Sequence, residues 1–269
     1  GYSERRMKRL ERENERALNE ALKPYCDDCR RQLTIPEDAY KQYDVKRGLR
    51  NADGTGVLAG VTRICNVHGY VMEAHERRPA EGRLFYRGID IRDLIEGCTA
   101  EDRFGFEEVV WLLLFGYLPT AEQLSGFTRL LEQHRELPEG FIEDMIIKAP
   151  SPNIMNKLAR SVLALYSYDE LAEDMSLENI VRQSIELIAR VSTIMVNAYQ
   201  VKKRYYDHQS LFFHTPIDGM SFSENILSTM RLDRRFTREE AKLLDAGYQQ
   251  QVAQAICAGV CDFIQLSGK

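Results

Sequence analysis

Between Ser176 and Tyr206 the chain contains neither proline nor glycine, while Ile180, Leu187, Ile188, Val191, Ile194, Met195 and Ala198 recur at helical spacing. An unbroken period of that length predicts one long helix with a buried face. Most of a helix's stability in a protein comes from packing on that face, so neighbouring helices are required. The flanking sequence supplies them. From Pro152 onward, Ile154, Leu158, Val162 and Leu165 share one face, and the small residues Ala159, Ser161 and Ala164 admit a close neighbour. Thr120 and Gln123 form the capping box of a helix that follows Pro119, carries Leu124, Phe127, Leu130 and Leu131, and stops by Pro138. Phe106, Val109, Val110, Leu112, Leu113 and Leu114 are too continuous for a surface helix and predict one buried on most sides. Asn225 to Met230 reads as a short helix, and Thr237 with Glu240 opens another through Leu243 and Leu244. The fold class read from this pattern is all-α, a large multi-helical domain.

One stretch departs from it. Between Tyr40 and Asp93, Gly48, Gly54, Gly56, Gly60, Gly69, Gly82 and Gly88 punctuate short runs rich in Val, Ile, Tyr and Phe, which read as strands and turns. Asp53-Gly54 is a turn signal, and Arg83 to Ile91 is predicted as a strand leading towards a helix. Gly54-Thr-Gly56 is no phosphate cradle, since it lacks the following glycine-to-helix arrangement and a Gly-Lys-Ser/Thr ending. At the N-terminus, residues 4 to 22 place Met7, Leu10, Ala17, Leu18, Ala21 and Leu22 on one stripe, with Glu4 and Lys8, and Arg9 and Glu13, as opposite-charge pairs. That stripe reads first as a helix lying on its own domain and second as a dimer arm or partner-docking helix. The expected organisation is a helical N-terminal arm over 1–39, a globular portion over 40–245 with a small strand-containing segment near its N-terminal end, and a divergent helical tail over 246–269.

Charge and composition narrow the function classes. Lys and Arg number 36 against 41 Asp and Glu, a formal net charge of −5, which gives no overall attraction to a phosphate backbone. Nucleic acid is not an expected partner. The longest apolar runs, such as Val109 to Phe115, fall far short of the ~20 residues that a membrane-spanning helix needs. Tyr2 to Leu22 alternates Glu with Arg and Lys and has no apolar stretch of the secretory kind. No membrane association and a cytoplasmic location are expected. Six cysteines at irregular spacing in a chain able to bury a core are read as reduced thiols.

Two patterns could carry site chemistry. Cys26-Asp-Asp-Cys29 has metal-knuckle spacing, and Cys65-Asn-Val-His68 repeats it, so together they could offer three sulfurs and one imidazole to zinc. Against this, Cys65 and His68 lie in a strand-like run where a small buried thiol is common. Arg47, Arg50, Arg63, Arg77, Arg78, Arg83, Arg87 and Arg92 form a basic region that could hold an anion, but Asp44, Asp53, Glu73, Glu76, Glu81 and Asp90 are dispersed among them. A solvated face is the preferred reading. His68, His75, His134, His208 and His214 show no metal-pair spacing on a helix and no nucleophile partner.

The runs Arg47-Gly-Leu-Arg-Asn-Ala-Asp-Gly-Thr-Gly56, Gly82-Arg-Leu-Phe-Tyr-Arg-Gly-Ile-Asp-Ile-Arg-Asp-Leu94 and Phe106 to Pro119 resemble citrate synthase. The run Gly82 to Ile91 followed by Glu107-Glu-Val-Val-Trp-Leu-Leu-Leu-Phe-Gly-Tyr-Leu-Pro-Thr120 is highly specific, and Ile154 to Tyr168 and Ser223-Glu-Asn-Ile-Leu227 extend the resemblance to about residues 40–245. The resemblance implies an almost wholly helical fold, with 40–245 as the large-domain portion, and a dimer whose interface packs helices from both subunits. The small-residue helix Ile154 to Tyr166 resembles one of those interface helices, so a homodimer through it is expected. The family condenses acetyl-CoA with oxaloacetate to give citrate and free CoA, and takes no metal. An Asp removes a proton from the acetyl methyl, one His polarises the thioester oxygen, a second His protonates the oxaloacetate carbonyl, and arginines hold the carboxylates.

This sequence departs from that pattern where the chemistry lies. After Asp245 it continues Ala246-Gly-Tyr-Gln-Gln-Gln251, no histidine follows His214, and both histidine motifs of the family are missing. The tail Ile256-Cys-Ala-Gly-Val-Cys-Asp-Phe263 faintly resembles the Asn-Val-Asp-Phe segment that holds the family's catalytic Asp, which would make Asp262 a remnant of the base; a solvated Asp at a helix end is the plainer reading. The expectation is a chain that binds no cofactor, has acetyl-CoA only as the family's substrate, and does not make citrate by itself. The other reading is a non-catalytic dimerisation or regulatory partner of a full-length citrate synthase.

Overall fold

The structure, a computed structural model, describes residues 2–33, 35–36, 38–43, 45, 61–73 and 76–246. In chain order the elements are α1 (Tyr2–Leu33), the single turn α2 (Ala39–Gln42), strands β1 (Cys65–Glu73), β2 (Glu76–Tyr86) and β3 (Ile89–Asp90), then α3 (Ile91–Ala100), α4 (Phe106–Phe115) and α5 (Ala121–Gln133). A π-helical turn (Ile142–Ile147), α6 (Ile154–Leu165), a 3-10 turn (Tyr166–Tyr168), α7 (Leu177–Tyr206) and α8 (Phe222–Met230) follow, and α9 occupies residues 238–246. Among the described residues the fold is mainly α-helical with one small sheet, as the hydrophobic periods predict. No helix among the described residues is long and apolar enough to cross a membrane. The chain divides into two compact units, Asp28–Thr120 with Leu243–Lys269 and Gly1–Asp27 with Ala121–Lys242.

In the first of these, the sheet has the order β1-β2-β3 and is antiparallel, with Cys65 opposite Tyr86 and a bulge between His68 and Tyr70. The segment Arg83 to Ile91 forms strand, turn and helix start, as its pattern predicts. Asp90 caps α3 by accepting from the Arg92 N–H at 3.0 Å, while Arg83 donates to its other oxygen at 2.9 and 2.7 Å. Tyr86, Ile91, Leu94, Val109 and Leu112 make the core beneath the sheet. α4 is buried on nearly every side, and Trp111 packs against Phe115 with ring centres 4.5 Å apart and the rings tilted by 58°. Gly116 ends that helix at φ +87°, a conformation that a side chain resists, and a Cβ there would strike the side chain of Gln32 at 2.5 Å.

The other unit is organised by α7. Ser176 caps it by accepting from the Asn179 N–H at 3.3 Å. Phe141, Ile146, Ile194, Ala198 and Val201 form its core, with Leu158 and Leu165 of α6 packed against them. The capping box of α8 is Ser221 with Glu224. Thr237 and Glu240 form the expected box at α9, each backbone N–H reaching the other's side chain at 2.9 and 3.2 Å.

One expectation is extended and another corrected. α1 continues beyond the stripe of residues 4–22, through Pro24, which forfeits one helical N–H, to Leu33, and Leu18, Leu22, Cys26 and Cys29 are buried along it. The side chains there are covered, which favours packing over a free arm. In α7, Ile180 faces solvent, whereas Arg182 and Asn179 take the buried face beside Val181 and Ile185. Partners within reach make that inversion affordable.

Candidate functional site

The zinc reading fails at its second half. Cys26 and Cys29 share one face of a continuous helix, where the Cys26 thiol donates to the Leu22 carbonyl at 3.3 Å. Cys65 and His68 are three apart on β1, so their side chains leave opposite faces of the sheet. Among the described residues no group of three or more His, Cys, Asp or Glu side chains could hold a metal ion. The arginines of the strand region are partnered as a solvated face would be: Arg78 with Glu73, Arg83 with Asp90 and Arg92 with Glu81. Arg87 is different. Its guanidinium donates to the Leu113 carbonyl at 2.7 Å and to the Gln32 carbonyl at 3.4 Å, closing two helix ends, and burial pulls its pKa down.

His134 contacts the Leu130 carbonyl and His214 the Leu232 carbonyl, at 2.9 and 3.1 Å. His68 lies against the edge of Phe85 and within 3.0 Å of the Asn66 amide. Among the described residues no histidine is paired with a carboxylate. Arg47, Arg50, His75, the Gly54-Thr-Gly56 run, the tail beyond 246 and with it Asp262 lie outside the described residues.

The most developed polar centre was missed by sequence reasoning. Arg182 is fully buried on α7 and donates to Asn179 at 2.8 Å, to Glu186 at 3.1 Å and to both oxygens of Asp169 at 2.8 and 2.7 Å. Gln183 adds a bond to Asp169 at 2.8 Å, and Arg190 one to Glu186 at 3.0 Å. Burial works to raise the Asp169 pKa, but the bonds from Gln183 and Arg182 prevail and hold it below the usual carboxylate range. Asn179 also ties the preceding loop down by donating to the carbonyls of Leu171 and Asp174, both at 2.8 Å. The signal was present as Asn179, Arg182 and Glu186 at helical spacing, but such a pattern more often marks a wet helix face.

Beside this network opens a cavity of about 190 Å³, with Val162, Leu165 and Tyr166 on one wall and Leu187, Glu186 and Arg190 on the other. The helix forming the first wall is packed in an unusual sense. α6 buries Lys157 and Ser161, while Met155 is 72% and Leu163 76% exposed. Lys157 reaches the carbonyls of Met145 and Ala149 at the end of the π-helical turn, and burial lowers its pKa. Ala159 lies on the exposed side with Met155. The predicted face Ile154, Leu158, Val162 and Leu165 is half-buried throughout, and the opposite stripe carries apolar side chains as well.

A second buried polar cluster lies at the start of α4. Cys98 donates to Glu108 at 3.4 Å, Arg103 forks onto both oxygens of Glu108 at 2.9 and 3.2 Å, and the Gly105 N–H donates to Asp245 at 2.9 Å. Burial pushes the Cys98 thiol up to about 12, which leaves it protonated and inert. This cluster fixes a helix start and offers no nucleophile.

One unit built of helices around the long α7 and another of a small antiparallel sheet with its helices define a mainly helical class that has structural parallels. The citrate synthase of Pyrobaculum aerophilum matches with a TM-score of 0.59 at 24% identity, over 76% of this chain and 50% of that one. The citrate synthase of Thermotoga maritima matches with a TM-score of 0.53 at 23% identity, over 76% and 46%. At these identities the likeness is one of fold. The family model "Citrate synthase, C-terminal domain" matches residues 50–248, so the chain belongs to the citrate synthase family. Among curated relatives, "2-methylcitrate synthase 2" of Corynebacterium glutamicum is 29% identical over 69% of this chain and 41% of its own, and "Citrate synthase" of Saccharolobus solfataricus is 27% identical over 59% and 36%. The chain thus spans about two fifths of the length of the curated relatives it matches.

Proposed function

We propose that this chain supplies the dimer-forming, large-domain part of a citrate-synthase-type condensing enzyme, and that its 269 residues do not by themselves perform the condensation. The observation that carries the second clause is the histidine inventory. Forming a carbon–carbon bond between the methyl of acetyl-CoA and the carbonyl of oxaloacetate requires a base to remove a very weakly acidic proton and a donor to stabilise the enol that results. No histidine follows His214 in this sequence, and His68, His134 and His214 contact carbonyls, an amide and aromatic rings. Relatives named for citrate and for 2-methylcitrate both support the reaction class. The second product carries one more methyl, so an acyl-CoA one carbon longer belongs among the substrates to be tried.

Pairing is the role that the chain's own surface favours. α6 turns Met155, Ala159 and Leu163 outward, with Tyr166 just beyond its end, and apolar side chains grouped on one helix face mark an interaction surface. The partner is a second copy of the same chain. Native mass spectrometry of the purified chain, alone and mixed with a full-length citrate synthase, tests this. A homodimer that forms no mixed species is the expected result. Mixed dimers would favour the regulatory reading, and aggregates of undefined size would leave only a fragment.

A further inference from the structure

We infer that the free edge of β1 pairs with the β1 edge of a second copy of this chain, antiparallel and centred on Gly69, a contact separate from the one proposed for α6. β1 is the outer strand of a sheet ordered β1-β2-β3, and its nine residues give it a long side that no other strand covers among the described residues. Such an edge offers a row of backbone N–H and C=O groups to any strand that reaches it, and proteins usually guard it with charge, proline or a bulge. Here the guards stand on the inner strand. Glu76, Arg77, Arg78, Pro79, Glu81 and Arg83 all belong to β2, while β1 has no Lys, Arg or Pro and a single carboxylate, Glu73, at its end. The irregularity is on β2 as well: His68 pairs with Arg83 and Tyr70 with Pro79, so residues 80–82 stand opposite Gly69 alone. The extra length bends β2 and leaves β1 open to a further strand.

The face of the strand points to the occupant. Val67 pairs with Leu84 and Cys65 with Tyr86, which places Val67 and, two positions on from Gly69, Val71 on the side where Leu84 and Tyr86 meet the core. Both valines lie beyond that core, 53% and 44% exposed. A twofold contact must be self-complementary, each patch meeting a copy of itself. With Gly69 on the axis, Val67 of each copy stands opposite Val71 of the other, and no other twofold register sets both valines against valines. Branched side chains directly opposite each other are favourable cross-strand neighbours. Charge selects the same direction. Antiparallel pairing brings Glu73 towards the exposed Arg63 that precedes the other copy's strand, whereas parallel pairing would set Glu73 against Glu73. The two small sheets become one continuous sheet. A single strand edge covers less than the ~800 Å² per partner of a standard interface, so the contact depends on concentration.

The test is disulfide trapping in the full chain carrying Cys65→Ser, with circular dichroism to confirm folding. Positions 67 and 71 lie about 13 Å apart along one strand, too far to bridge within a chain. Mild oxidation of the Val67→Cys/Val71→Cys variant should therefore yield a covalent dimer in which mass spectrometry finds 67 joined to 71, and neither single variant should form it. Sedimentation velocity gives a second reading. Val67→Lys/Val71→Lys sets like charges opposite each other and should weaken concentration-dependent association by about tenfold, and Val67→Glu/Val71→Lys, which sets opposite charges there, should restore it. Cross-linking by a single variant overturns the register. Cysteines that give no cross-link overturn the inference, whether they react freely with a thiol reagent, which leaves the edge open, or slowly, which means that the chain covers its own edge. The cross-link does not require α6 to pair, so its absence leaves the proposed function standing.

Discussion

α4 and α6 are helices of similar length with opposite habits. α4 buries nearly everything it carries, including Glu107 and Glu108, and Arg103 neutralises the second of these. α6 buries a lysine and a serine while a methionine and a leucine face outward. Burying apolar surface is worth about 25 cal/mol per Å², so α4 has spent that stabilisation within its own chain. α6 retains part of it for another surface. The difference teaches that apolar content alone does not locate a core: the polar residues on the inner face, and whether they find partners, decide which way a helix is turned.

The largest effect that separates the two helices should come from truncating each at its apolar centre. Leu112→Ala, at a fully buried site of α4, should cost about 3 kcal/mol by urea unfolding. Leu163→Ala on α6 should change the unfolding of the monomer by less than about 0.5 kcal/mol. Comparable losses would mean that α6 packs within its own chain.

Next in size is the network on α7. Asp169→Asn leaves the buried Arg182 short of its carboxylate and should cost about 3 kcal/mol. Because folding lowers the Asp169 pKa, its contribution is fully present above the unfolded value of about 3.9 and is lost as pH falls through the lower folded value. The acid limb of a stability profile should therefore flatten in the variant. An unchanged acid limb would show that Asp169 is not the group being protonated.

The smallest effect concerns the inner face of α6. Lys157→Met removes the donor to the carbonyls of Met145 and Ala149 and should cost about 1–2 kcal/mol at neutral pH. Folding lowers the Lys157 pKa, so between that folded value and about 10.4 the unfolded chain holds more protons and stability rises with pH. The methionine variant should lose this alkaline rise, measured as urea midpoints from neutral pH upward. A rise that persists would assign it to another group.

The helical frame was legible because hydrophobic period and caps agree: the period that begins at Ser176 and the box of Thr237 with Glu240 each stand where a helix opens. The strand-turn-helix of Arg83 to Ile91 was legible for the same reason. Arg182 was not, because a charged residue at helical spacing from Asn179 and Glu186 looks the same whether water or protein surrounds it. The outward stripe of α6 was hidden behind the regular face Ile154, Leu158, Val162 and Leu165, and burial of Lys157 depends on carbonyls exposed by a π-helical turn that no local signal announced. Cys26 and Cys29 lie buried on one continuous helix, and the second half of the metal-knuckle pattern, Cys65 and His68, leaves opposite faces of β1.

The proposed role stands most directly on the release of CoA thiol from acetyl-CoA, and from the acyl-CoA one carbon longer, mixed with oxaloacetate and the folded chain of verified mass. No release above the uncatalysed background is predicted, whatever the oligomeric state of the sample. Release that scales with the concentration of a homogeneous preparation would contradict it, and would mean that groups other than the missing histidines carry out the condensation.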